Sequence, residues 1–214
     1  MVFLVEFLLV ESKKFSLWGF TKQGQVQWGK ALQLLGYSVC GSLKEANQLP
    51  STDPSKVKRF LLEKAIPKIK NYDAFQDTPW FLIYRELYMN YPDAKFILTT
   101  RDENKWILSV QRHFGKNNFA FHKFIYSSLD SLANKELYLE RYRKHNEEVR
   151  LFFKDNPNFI EIDIQNYNWD TLCNFLKVKV PIWSFPHANK RDQTFVEKQL
   201  SRMKRIIKEL YYNS

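Results

Sequence analysis

An α/β protein is what the sequence predicts: three layers, a mainly parallel sheet flanked by helices, in one domain spanning residues 1–214. Three observations carry this. Apolar, β-branched or aromatic runs of strand length (KFSLWGF, KFILTT, FIEIDI) alternate with segments whose apolar residues recur at helical spacing. Strands alternating with helices imply parallel pairing with helices on both faces. Finally, 214 residues, 44% hydrophobic with 18 Phe, 11 Tyr and 6 Trp, supply one sizeable core, and no repeat, low-complexity tract or Gly/Ser linker divides them.

The elements follow in order. The opening MVFLVEFLLV is apolar but carries Glu6 and has about half of the roughly 20 residues a membrane helix needs, so no membrane span is expected. It has neither the basic start nor the small-residue cleavage site of a secretory signal, and reads as a buried first strand or helix. KFSLWGF is a strand ending at Gly19; Trp28, Ala31, Leu32 and Leu35 then lie at i, i+3, i+4 and i+7 of a helix that Gly36 stops. Tyr37 to Cys40 forms a short strand, and the polar stretch from Ser42 to Ser55 is the longest expected loop. Val57, Phe60, Leu61 and Ala65 mark a helix that Pro67 ends or bends. Thr78-Pro79 reads as a helix start, hydroxyl cap followed by proline, leading into WFLIYRELYMNY. KFILTT is a strand, and Asp102-Glu103 bring acidic groups to the first turn of the next helix. A long helix around Lys135 to Lys154, the strand FIEIDI and a short helix carrying Trp169, Leu172, Cys173 and Leu176 complete the pattern.

A net charge of +10 favours anionic partners, phosphate, sulfate, nucleic acid or acidic membrane, without choosing among them. Cys40 and Cys173 are far apart and form no C-x-x-C, so neither a disulfide framework nor a cysteine zinc site is indicated, and a reducing, cytoplasmic compartment fits.

In sheets of this type ligands bind beyond the carboxyl ends of the strands. The first such end is the run from Gly19 through Thr21, Lys22, Gln23, Gly24 and Gln25 to Val26, where backbone amides and a helix dipole can hold an anion. The kinase and ATPase loop G-x-x-x-x-G-K-[ST] fails here: the glycines are spaced correctly, but Gln25 and Val26 occupy the Lys and Ser/Thr positions, leaving no magnesium hydroxyl. A plain glycine-containing turn stays open beside the phosphate loop.

The same residues resemble the P-loop sulfotransferases, whose variant loop reads G-x-P-[KR]-[ST]-G-T-[ST]-S-L before an apolar helix. Gly19, Lys22, Gly24 and the run GKALQLLGYSV match it. NYDAFQDTP, YPDAKFILTTRDENKWILSV and NWDTLCNFLKVKVPIWSFPHANK then resemble successive blocks of the small sulfotransferase branch, in order, covering most of Lys14 to Lys190.

The resemblance implies a P-loop sulfotransferase-like fold, no metal, the donor 3′-phosphoadenosine 5′-phosphosulfate (PAPS), and a small-molecule acceptor offering a hydroxyl or amine. It implies that Arg101, at a strand end, and Ser109, eight residues on, hold the donor's 3′-phosphate. A guanidinium fork suits that dianion; an ion pair of Arg101 with Asp102 is the competing reading. Asp77, in the family's D-x-P position, would be the general base, or else a helix cap. Lys22 would neutralise charge developing on the leaving phosphate, or be an exposed lysine. Lys190 and Arg191 would reach the donor phosphates.

Other residues offer no rival constellation. His113, His122, His145 and His187 lack metal-ligand or nucleophile-base spacing. The segment from Phe114 to Tyr126 lines an acceptor pocket or packs as a core helix. From Thr194 onward the chain reads as a basic amphipathic helix, ordinarily a solvated face. Because Thr21, Gln23, Gln25, Val26 and Gln27 replace family residues, a non-catalytic binder of PAPS or its desulfated form, PAP, stays open. A nucleic-acid partner is disfavoured, since no recognition helix, RNA-binding aromatic motif or zinc finger is present.

Overall fold

The computed structural model describes residues 6–7, 22–117 and 119–186, with side chains from residue 28 onward. A five-stranded sheet holds β1 (Glu6–Phe7), β2 (Val39–Cys40), β3 (Ala74–Phe75), β4 (Phe96–Thr100) and β5 (Phe159–Asp163) in the order β2-β3-β1-β4-β5. β2 pairs parallel with β3, and β4 parallel with β5, from Phe96 opposite Phe159 to Thr100 opposite Asp163. β1 runs antiparallel to both β3 and β4. The expected parallel direction therefore holds for the four outer strands and is reversed at the centre. The central strand comes from the apolar N-terminal segment; KFSLWGF, the strand expected before the glycines, lies outside the described residues.

The helices are α1 (Lys22–Leu34), α2 (Pro54–Ile69), α3 (Tyr84–Asn90), α4 (Glu103–Phe114), α5 (Ala120–Tyr126), α6 (Lys135–Phe152) and α7 (Trp169–Leu176). Gly36, at φ 94°, takes the left-handed conformation that ends α1. Asp102 caps α4 by accepting from the Lys105 amide at 2.9 Å, and Asn168 caps α7 through the Thr171 amide at 2.8 Å.

Three local expectations change. Pro67 does not end α2, which runs on to Ile69. The proline is exposed, so the carbonyl its ring strips of a partner can be hydrated, while Ile69 stays buried. The polar Ser42 to Ser55 stretch contains a 3-10 turn at Lys44–Gln48 and the start of α2, capped by Asp53. Thr78-Pro79 is a cis peptide followed by a 3-10 turn, Trp80–Leu82, and neither that turn nor α3 has a side-chain cap, so Thr78 is no helix cap.

Alternation along the strands divides the core. Phe75, Phe96 and Leu98 join a cluster with α2, α3, α4, α5 and α6. Ala74, Ile97 and Ile162 join a second cluster with Trp28, Ala31 and Leu32 of α1 and the apolar side of α7. Successive residues of β4 thus enter different clusters, which explains why FILT reads as a continuous apolar run with no period of two.

His122 of α5 is fully buried among Phe114, Phe121, Tyr126 and Tyr138. Asn117 donates Nδ2 to its Nδ1 at 3.1 Å, with the amide orientation set by the Leu129 carbonyl and the Phe119 amide, so the ring proton sits on Nε2. Burial pushes the imidazole down to about 3. The unfolded chain therefore binds a proton below about pH 6.5 that the folded chain refuses until about pH 3. Stability should fall with pH across that window, by up to roughly 1.4 kcal/mol per pH unit. His122→Gln should flatten this slope in urea titrations between pH 6.5 and 4; an unchanged slope would assign the acid sensitivity elsewhere.

Candidate active site

β3 and β4 both oppose β1 and so point the same way, bringing their carboxyl ends to one edge of the sheet. Asp77 leaves that edge just after β3, and Arg101 just after β4. Phe75 and Phe96 are both level with Phe7, so Arg101 comes three residues further along its strand direction than Asp77 does, roughly 10 Å of extended chain. Across the edge, two strand spacings separate β3 from β4, again roughly 10 Å.

Asp77 is 9% exposed and has φ 83°, and its Oδ1 accepts from the Thr78 amide at 2.8 Å. That bond is to its own neighbour, so the helix-cap reading fails here too. The loop after β3 is tied to the strand beside it: Leu43 donates to the Thr78 carbonyl at 2.9 Å, and Trp80 Nε1 to the Gly41 carbonyl at 3.2 Å. Gln76 lies against α1; a Cβ on Gly29 would come within 2.6 Å of its Nε2. This contact joins the glycine-bearing helix to the Asp77 loop.

Arg101 lines a polar depression of about 590 Å³ with Thr100, Tyr142, Asn146 and Asp163 among its walls. Tyr142 of α6 clamps its peptide, donating its hydroxyl to the Arg101 carbonyl at 2.8 Å and accepting from the Arg101 amide at 3.1 Å. The phenol stacks on Trp106 at 4.3 Å, and burial pushes it up to about 12, so it stays a donor at neutral pH. Asn146 stands on the same wall, and its buried Oδ1 has no hydrogen-bond partner. Two other guanidinium forks are already taken: Arg143 grips Glu103 at 2.6 and 2.7 Å, and Arg150 grips Glu161 at 2.7 Å twice. Each ion pair holds its carboxyl below the usual range. Asp102 is spent on the α4 cap, and among the described residues no carboxylate pairs with Arg101. A guanidinium whose backbone is pinned and whose side chain is held in no ion pair can take an anion. Ser109 is half-buried on α4, about two turns on.

Lys22, Gln23, Gly24, Gln25 and Val26 form the start of α1, so the helix begins inside the expected loop. Gly19, Thr21, Lys190 and Arg191 lie outside the described residues, as does the basic segment from Thr194. The Phe114 to Tyr126 segment packs in part as core, with Phe121, Ile125 and Tyr126 buried, while Phe124 and Ile125 line a cavity that Asp77, Arg101 and Ser109 do not. The hold of Tyr142 on the Arg101 peptide is the feature of the site that the sequence does not show. The tyrosine's place in the stripe Tyr138, Leu139, Tyr142, Val149 signals burial on α6 and nothing of where its hydroxyl goes.

A family model for the sulfotransferase domain matches residues 17–137 and 120–194. The chain belongs to the sulfotransferase domain family. Both strand ends described above fall within that match. A curated relative, "Ava biosynthesis cluster protein M" of Aspergillus versicolor, is 30% identical over an alignment covering 54% of this chain. The alignment spans 54% of that relative's length. Among the described residues no cluster of His, Cys, Asp and Glu is placed to hold a metal ion, and no helix is long and apolar enough to cross a membrane. Cys40 and Cys173 are free and buried.

Proposed function

We propose that this chain is a cytoplasmic sulfotransferase of one three-layer α/β domain, taking PAPS as donor and a hydroxyl, or amine, of a small molecule as acceptor. The observation that supports this best is the pairing of Asp77 and Arg101 on one sheet edge in a chain of this family. The donor supplies the sulfuryl group. Arg101 and Ser109 hold its 3′-phosphate, with Lys190 reaching the same region. Gly19, Thr21, Gln23, Gly24, Gln25 and Val26 hold the 5′-phosphate through backbone amides at the start of α1. Asp77 accepts the acceptor proton, and Lys22 offsets charge on the leaving phosphate. The fit is chemical: an uncompensated guanidinium suits phosphate, and a buried carboxylate suits a proton.

Calorimetry with PAP against ATP at low salt tests the reading. PAP should bind saturably and more tightly than ATP; no saturable PAP binding by the folded protein would overturn the donor assignment. The loop itself favours one second reading, a binder of PAP without turnover. Gln25 and Val26 supply fewer short hydroxyl donors than the family's loop, each such bond being worth roughly 0.5–1.5 kcal/mol. Gln25→Thr with Val26→Thr should therefore tighten PAP several-fold in the same titration. Weaker binding would mean a loop retuned for another ligand.

A further inference from the structure

A cavity of about 340 Å³ lies between the starts of α2 and α3, the end of α5 and the middle of α6. None of Asp77, Arg101 or Ser109 lines it, and it shares no residue with the depression at Arg101. Its volume is within the range of small-molecule sites, roughly 300–1,000 Å³. Its walls are built from the core: Val57, Phe81, Tyr84, Ile125 and His145 line it, each 7% exposed or less. Phe81 and Tyr84 meet the His145 ring edge-on at 5.4 and 6.1 Å, giving an aromatic floor held by packing on several elements. A flat apolar ring system suits such a floor, since edge and face contacts favour it beyond its area.

The rim decides the head group. Lys58 is paired with Glu86 at 2.8 Å, and Arg141 with Glu148 at 3.5 Å. Arg85 remains. Its guanidinium stands 5.1 Å over Tyr84 and 4.8 Å over Phe152, and among the described residues no carboxylate pairs with it. The rings hold the fork at the mouth of the cavity with one uncompensated charge. We infer that this cavity is a second ligand site, for a small aromatic monoanion whose ring system lies on Phe81 and Tyr84 and whose carboxylate or sulfate meets Arg85. It is independent of the donor reading, because none of the described donor-site residues contributes to it.

1-Naphthoate, with neutral 1-naphthalenemethanol as its counterpart, tests this by calorimetry on the whole chain, with and without saturating PAP. Naphthoate should bind one site, at least roughly tenfold more tightly than the neutral compound, and Arg85→Gln should remove that advantage. Arg85 is exposed, so the substitution leaves the core intact, and circular dichroism would verify the fold. Leu82→Trp, which fills the cavity from its half-buried wall, should abolish binding of both compounds. PAP should leave the naphthoate titration unchanged. The proposal falls if naphthoate does not saturate, if Arg85→Gln binds it equally, or if PAP displaces it; a failure of PAP to bind would leave it standing.

Discussion

Asp77→Asn is expected to lower sulfuryl transfer by roughly 10²–10⁴-fold with PAP binding almost unchanged, the pattern of a lost general base. The substitution is unusually clean. Asn keeps the oxygen that accepts from the Thr78 amide at 2.8 Å. It also tolerates the left-handed backbone at φ 83° better than most residues do. What is removed is the negative charge and with it the ability to take a proton. Rates should be measured with a hydroxyl acceptor that supports turnover, beside a PAP titration of the same preparation. Undiminished turnover would return Asp77 to the task of organising the turn after β3. If binding and rate fell together, the carboxylate would instead be positioning the site.

Arg101→Ala should weaken PAP by roughly 10- to 100-fold, since a charge-assisted contact to phosphate contributes roughly 1.5–3 kcal/mol. Here too the fold should survive, because Tyr142 holds the peptide of residue 101 and not its side chain. Arg101→Lys should recover part of the loss by restoring charge without the planar fork. Isothermal titration at low ionic strength distinguishes the three proteins; equal affinities would remove Arg101 from the donor site.

The fold was most legible where each element carries its own punctuation. β4, the acidic start of α4, β5 and the apolar stripe of α7 lie where KFILTT, Asp102-Glu103, FIEIDI and Trp169 to Leu176 imply. β3 carries little signal of its own because two residues, Ala74 and Phe75, have no period; the partners on either side make them a strand. The reversed β1 was hidden for a related reason, since strand composition says nothing of direction. Of the two effects open to Pro67, ending the helix does not occur, because its cost depends on whether water can reach the carbonyl it deprives, which is tertiary information. At the candidate site, Arg101 and Asp77 were readable from order and spacing in the resemblance, whereas the Tyr142 clamp was not. A helical stripe reports which side chains are buried but not which backbone they hold.

The contact between Gly29 and Gln76 is a case of local frustration. Glycine within α1 costs roughly 1 kcal/mol of helix propensity relative to alanine. The helix would be more secure with a side chain there, yet an added Cβ would stand 2.6–3.0 Å from the Gln76 amide. That amide is the end of a flexible side chain, so it would swing away and not break the fold. What yields is the placement of the residue next to Asp77. Position 29 thus sets helix security against the order of the loop that carries the carboxylate, and a sequence optimised for stability alone would resolve the conflict the wrong way.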